Sequence, residues 1–223
     1  MGVSNADTIT TIINIVKRPA PPYLSTMRVS KERAAQHRRD ILEAAERLFR
    51  ERGFAGVGVA DLMKEAGFTH GGFYNHFESK DALAAEACAA ALGRAMEELE
   101  ATLGDRRARA WKDFVARYAS AEHRDDPAAG CTMAALAGDA ARQGSEVQAS
   151  FADGIERGIE LLAAYLAEAQ PELTKAAARE RAIELWSALV GAVVLARATT
   201  RGRPELSEEI LAAVRRRAQR TGI

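Results

Sequence analysis

Cysteine is nearly absent from this chain. Cys88 and Cys131 stand far apart with no CxxC or Cys/His pattern, which argues against a disulfide framework and a structural zinc site. Proline is rare beyond the first 22 residues and β-branched runs are few, while alanine is abundant, a balance that disfavours strands and favours helices. Net charge is also lacking: 31 basic residues face 31 acidic ones, so overall charge offers no argument for a polyanionic partner. No apolar run approaches the ~20 residues that span a bilayer, and no membrane partner is expected. A Walker loop, an HExxH pair, a GxSxG elbow and a metal-ligand cluster are all missing, so neither catalysis nor a cofactor or metal is expected. Reduced thiols fit a cytoplasmic setting. Ile9–Val16 is mildly apolar, but Asp7 precedes it without a basic flank and Pro19, Pro21 and Pro22 follow, which makes a poor signal peptide. Residues 1–27 are expected to be a disordered leader, or residues 1–26 an extension ahead of a start at Met27.

What is present is helical periodicity. A first helix is expected from about Lys31 to Arg52, with Ile41, Ala45, Leu48 and Phe49 on one face and Gly53 as its stop. Short helices follow over about Val59–Ala66 and His70–Phe77, then a long one from Ser79 to about Leu103, with Asp81 in its first turn. A fifth carries Trp111, Phe114, Val115 and Tyr118, and 125–130 (DDPAAG) reads as a loop. Cys131–Arg142 is a short apolar helix. Ser145 with Gln148 has capping-box spacing and opens a helix to about Ala169. Helix eight, from about Leu173 to Thr200, is apolar almost all round from Ile183 to Ala196 and must be buried on more than one side. After a turn at Arg201-Gly202-Arg203-Pro204, Ser207–Gln219 forms the last, with Leu206, Ile210, Leu211 and Val214 inward. The expectation is all-α, with nine helices.

Residues 66–80, AGFTHGGFYNHFESK, carry the chemistry. Ala66-Gly67 closes one helix in a tight turn, Thr69 is placed to cap the next, and Ser79 caps a third that opens with Lys80. Two short helices joined by a glycine-containing turn form a helix-turn-helix, whose second helix enters the DNA major groove. Its exposed face offers hydroxyl, amide and imidazole groups, which suit base edges and phosphates. Upstream, five basic residues against one acid between Arg28 and Arg39 provide a local positive charge. Gly71 and Gly72 each cost a helix about 1 kcal/mol relative to alanine, and close backbone approach to DNA is one reason to keep them.

The order Leu48-Phe49, Gly53-Phe54, Val59, Asp61-Leu62, Ala66-Gly67, Phe73-Tyr74, His76-Phe77 and Lys80-Asp81-Ala82-Leu83 resembles the N-terminal domain of TetR/AcrR-type transcriptional repressors, continuously over about Arg38–Leu83. The resemblance implies a three-helix DNA-binding head over 28–80 and a helical ligand-binding and dimerisation domain over 81–223. It also implies a homodimer through the last two helices on double-stranded operator DNA. Carried over residue by residue, Thr69, His70, Gly71, Gly72 and Asn75 lie at the groove. Tyr74, His76 and Lys80 touch phosphates or sugars, and Phe73, Phe77, Leu62, Phe49 and Leu48 hold the head together. Two departures stand out. Gly58 replaces the usual threonine opening helix two, and Gly72 replaces a commonly hydroxylated residue. Affinity is then expected to lean on Lys80, Tyr74 and the arginines before Ile41, Arg38 among them.

In the second domain Trp111, Phe114, Tyr118, Met133, Phe151, Tyr165 and Trp186 are candidates to line a cavity for a small, largely apolar effector, each with plain core as the alternative. Tyr118 and Tyr165 add polar tips. Cys131, at the start of a helix, is a candidate redox thiol, with small apolar filler as the alternative. Cys88 is expected in the core, His37 and His123 in solvent, and Arg215, Arg216, Arg217 and Arg220 at a solvated helix end.

Overall fold

The computed structural model describes residues 22–104 and 108–221, with side chains over 30–104 and 110–220. The chain divides into two units, residues 1–39 and 40–223. Among the described residues there are nine α-helices, one 3₁₀ segment and no strand, so the protein is all-α. The helices are α1 Pro22–Arg52, α2 Val59–Glu65, α3 Lys80–Gly104, α4 Ala108–Tyr118, α5 Ala121–Asp125, α6 Thr132–Ala140, α7 Ser145–Ala169, α8 Lys175–Thr199 and α9 Pro204–Thr221, with the 3₁₀ segment His70–Asn75 between α2 and α3. The expected leader lies outside the described residues up to residue 21, and α1 begins at Pro22, earlier than the sequence pattern implied. In the first unit, residues 22–39 are helical.

In the second unit α7 packs extensively against α3 and α8, and α9 lies along α8. Gly154 and Gly158 permit the close approach of α7. A Cβ on Gly154 would fall 3.0 Å from Leu92, and one on Gly158 would fall 3.0 Å from the Trp186 ring and 3.2 Å from the Met96 sulfur. The core there includes Leu92, Met96, Phe151, Leu162, Trp186 and Val193. By length and composition α8 is apolar enough to cross a bilayer, against the expectation that no run comes near that length. Part of its apolarity is taken up as core: Ala182, Leu185, Trp186, Leu189, Val193 and Ala196 are buried. Ile183, Val194 and Leu195 of the same helix remain exposed.

Several element ends differ from the sequence reading. The third helix of the head is a 3₁₀ segment, and Thr69 occupies its N-cap position without a side-chain bond. α5 was not anticipated; the Ser120 hydroxyl caps it by accepting the His123 N–H at 3.1 Å. The capping box at Ser145 does not form. Gly144 is the N-cap, and the Gln148 amide turns back to donate to the Gln143 carbonyl at 2.9 Å. α8 is capped by Thr174, whose hydroxyl accepts from Ala177 N–H. Pro204 starts α9 instead of closing the turn before it, because a proline at the first helical position gives up only an N–H that has no partner anyway. Buried Arg124 ties α5 to α9 through Ser207 at 3.0 Å and Glu208 at 2.6 Å. Arg215, expected in solvent, donates to the Ala119 carbonyl from Nε at 3.0 Å and Nη2 at 2.7 Å.

Candidate functional site

The head is assembled from local signals. Gly53, at φ 72°, ends α1 with its N–H on the Phe49 carbonyl at 2.8 Å. Gly67, at φ 81°, ends α2 in a Schellman arrangement, with Gly67 N–H on Lys64 O at 3.1 Å and Phe68 N–H on Met63 O at 2.7 Å. Both positions need the left-handed region that glycine enters freely. Gly58 is an extended N-cap; with no hydroxyl to offer, it donates its own N–H to the Asp61 carboxylate at 3.0 Å. Leu48, Phe49, Leu62, Phe73 and Phe77 are all buried, as the resemblance implied, and Phe73 and Phe77 pack at 5.8 Å.

Above that core the chain turns its polar groups outward. Thr69, His70, Gly71, Tyr74 and Asn75 are exposed, and Gly72, His76 and Lys80 are half-buried. Tyr74 is 67% exposed and stands edge-on to Phe73. A Cβ at Gly71 would meet nothing within 4 Å, and one at Gly72 only the Met63 methyl at 3.5 Å, so the fold itself does not require glycine at either position. Ser79 caps α3 by accepting Ala82 N–H at 3.0 Å. The Lys80 ammonium donates to the Phe54 carbonyl at 2.5 Å, which pins the start of α3 to the turn after α1. An ammonium has three donors, so this leaves two. Arg38 is half-buried on α1, in the first unit.

A cavity of about 390 Å³ lies deeper in the second unit. Its wall takes Ala91, Arg94, Ala95, Met96 and Leu99 from α3, Phe114, Arg117 and Tyr118 from α4, the loop residues Ala129–Cys131, and Trp186 from α8. Of the sequence candidates, Phe114, Tyr118, Trp186 and Cys131 line it. Trp111 does not; it is fully buried, donates to the Ala218 carbonyl at 2.9 Å and stacks on Phe114. Met133 is core beneath Trp186, whose indole N–H points at its sulfur at 3.3 Å. Phe151 is core and Tyr165 packs on Trp111, so neither reaches the cavity wall.

Sequence reasoning missed the basic side of the cavity. Arg50, in the last turn of α1, reaches in and donates to the Ala128 carbonyl at 2.7 Å. Its guanidinium lies 3.9 Å from Glu46, which also pairs with Arg94. Burial raises the Glu46 pKa against the pull of both arginines, and burial lowers that of Arg50. His123, expected in solvent, is half-buried in the wall. Its Nδ1 faces the Tyr118 carbonyl at 2.6 Å and its Nε2 accepts the Cys131 N–H at 2.9 Å. A carbonyl only accepts, so Nδ1 carries the proton and the ring is held neutral. Burial is the main cause of its lowered pKa; the Tyr118 carbonyl opposes the shift and the Arg197 charge adds to it. Behind this wall Arg197 donates to the carbonyls of Arg124 at 2.9 Å and His123 at 2.7 Å. Its Nη1 and the Tyr118 hydroxyl are buried without hydrogen-bond partners. The Cys131 thiol, near enough to help burial raise the Tyr118 pKa, is not placed to complete a good hydrogen bond with it. Cys88 is core, its thiol pushed up to about 12 by burial. No cluster of metal-ligating side chains occurs among the described residues.

Comparison with known proteins follows this division. Residues 41–87 match the family model described as bacterial regulatory proteins, tetR family, and residues 107–206 match the LmrA/YxaF-like transcriptional regulator C-terminal domain. The chain is 31% identical over 85 residues to the uncharacterized HTH-type transcriptional regulator YerO of Bacillus subtilis, covering 38% of this chain and 29% of that protein. It is 46% identical over 54 residues to the HTH-type transcriptional regulator TtgR of Pseudomonas putida, covering 24% of this chain and 26% of that protein. The matches thus span less than a third of these relatives' lengths. The fold is similar to that of E. coli NemR in its reduced form, with a TM-score of 0.71 at 19% identity over 83% of this chain and 96% of that one. With both halves matched in order, the chain belongs to the TetR family of bacterial regulatory proteins.

Proposed function

We propose that this protein is a cytoplasmic, homodimeric transcriptional repressor that leaves a palindromic operator when a small effector binds in the second domain. The observation that carries the reading is the split over residues 69–75, where Phe73 is buried while Thr69, His70, Tyr74 and Asn75 face out around two glycines with no internal reason to be glycine. Recognition segments of two subunits would sit in successive major grooves, about 34–36 Å apart. The exposed Ile183, Val194 and Leu195 on α8, with half-buried Leu206, Ile210 and Val214 on α9, support pairing through the last two helices. This would bury the second side of α8 that one chain leaves open. An exposed apolar face of this kind marks an association surface.

The test is fluorescence anisotropy of the protein on the duplex upstream of its own coding sequence, beside a scrambled duplex, across a salt series. Preference for the upstream duplex with steep salt dependence is expected. Absence of binding even at low salt would sink the reading. Lys80→Ala should weaken binding to all sequences alike and flatten the salt slope by about one unit; sequence-selective loss would contradict a phosphate contact.

A second reading keeps the head and makes the signal covalent at Cys131. It is favoured by the position of that thiol in the cavity wall between Gly130 and Thr132. Cys131→Ser separates the two, because a non-covalent effector still releases DNA from that variant.

A further inference from the structure

Resting on the reading of the cavity as the effector site, we propose that it takes a small aromatic carboxylate, and that the acid signals by drawing Arg50 away from the Ala128 carbonyl.

The charge of the wall points to an anion. Arg50, Arg94 and Arg117 line it against one carboxylate, Glu98. The buried acid beneath, Glu46, is already shared by Arg50 and Arg94, and Arg117 makes no ion pair among the described residues. One side chain of the wall carries a donor buried without a partner, the Tyr118 hydroxyl, and a second such donor, Arg197 Nη1, lies behind the wall. An unpaired buried donor carries the full desolvation penalty, and a neutral apolar guest would leave the Tyr118 hydroxyl unpaired. A carboxylate accepts up to about four hydrogen bonds and matches guanidinium geometry. The aromatic part of the lining points to a flat body. Phe114 and Tyr118 lie 5.6 Å apart and Tyr118 and Trp186 6.5 Å apart, all facing the cavity. At about 390 Å³ the space lies near the small end of ligand sites.

The route to the head is equally local. Arg50 belongs to the last turn of α1, next to Phe49, which packs with Phe54 at 5.2 Å in the head core. Its bond to Ala128, at 2.7 Å, fastens that turn to the loop forming the cavity wall. The same turn also lies close to α6, where a Cβ on Gly53 would fall 2.4 Å from the Asp139 carboxylate. An anion competing for the Arg50 guanidinium replaces a neutral acceptor with a charged one. The acid thereby favours whichever arrangement of the α1 end gives it Arg50, and only such differential affinity can shift the equilibrium.

The test is isothermal titration calorimetry of the intact protein, without DNA, using benzoate, cinnamate and 2-naphthoate beside their primary amides at up to millimolar concentration. Expected is binding of at least one acid with an advantage of about tenfold or more over its amide, and a loss of about tenfold or more in Arg50→Gln and in Arg117→Gln. Arg117 is exposed, so Arg117→Gln keeps the test valid if Arg50→Gln misfolds. Amides binding as tightly as acids, acid binding indifferent to both substitutions, or no acid binding at all would overturn the ligand class. Anisotropy on the operator duplex then tests the route. The acid should release wild-type protein and fail to release Arg50→Gln; release of both alike would overturn transmission through Arg50. A protein that never binds a duplex fails as a repressor, while the calorimetry still decides for or against the acid site.

Discussion

Residues 59–77 bury Phe73 and Phe77 and leave Thr69, His70 and Tyr74 outside within a few turns of chain. The cavity instead gathers Arg50, Arg94, Tyr118, His123, Cys131 and Trp186 from helices and loops spread over more than half the protein. The head therefore has a local pattern to read. Its turn glycines, caps and alternating burial are each set by neighbours in sequence. The cavity has none, and its character comes from which side chains happen to be left facing the gap between helices. His123 illustrates the contrast. It is a lone imidazole in sequence, yet it is held neutral between the Tyr118 carbonyl and the Cys131 N–H by folding.

The comparison can be broken most forcefully at the head core. Phe73→Ala empties a fully buried site and should cost about 3–5 kcal/mol in urea denaturation. A loss under about 1 kcal/mol would mean that Phe73 is not the keystone its burial implies. Gly158→Val probes the other region. Its added Cβ lies 3.0 Å from Trp186 and 3.2 Å from the Met96 sulfur, and overpacking of this kind costs about 1–3 kcal/mol, visible as a lower Tm. Unchanged Tm would show that α7 can withdraw freely from α3 and α8.

The next effect is one of pH. The His123 pKa is lowered in the folded protein, so its contribution is full above the ordinary histidine value near 6.5 and is lost as pH falls toward the folded value. Stability should therefore decline on acidification below about 6.5, with a slope from this group of no more than about 1.4 kcal/mol per pH unit. His123→Gln should remove that slope from denaturation curves taken at several pH values, and an identical slope in the variant would assign it to other groups. The smallest effect on stability sharpens the comparison most. Gly71→Ala meets nothing within 4 Å and should leave stability unchanged or raise it by up to about 1 kcal/mol, while weakening duplex binding in the anisotropy assay. Full duplex affinity with Gly71→Ala would remove the close-approach explanation for that glycine.

The all-helical class, the turn glycines Gly53 and Gly67, the Ser79 cap and the buried aromatics of the head were legible in the sequence, because each depends on backbone conformation or on a periodicity that neighbouring residues impose. Ser145 and Thr69 show the limit even there. Both are capping residue types, but Gly144 takes the N-cap position ahead of Ser145 while the Gln148 amide turns to the Gln143 carbonyl, and Thr69 holds its N-cap position without making a side-chain bond. Only the tertiary structure decided which aromatics line the cavity and which fill the core: Trp186 reaches the wall, whereas Trp111 is buried against Phe114, Tyr165 and the Ala218 carbonyl. It alone placed Arg50 of the head in the cavity wall, joined Arg124 to Ser207 and Glu208, and left Tyr118 and Arg197 buried with donors to spare. Helix periodicity says which face turns inward; hydrogen-bond partners distant in sequence are fixed only when whole helices have settled against one another.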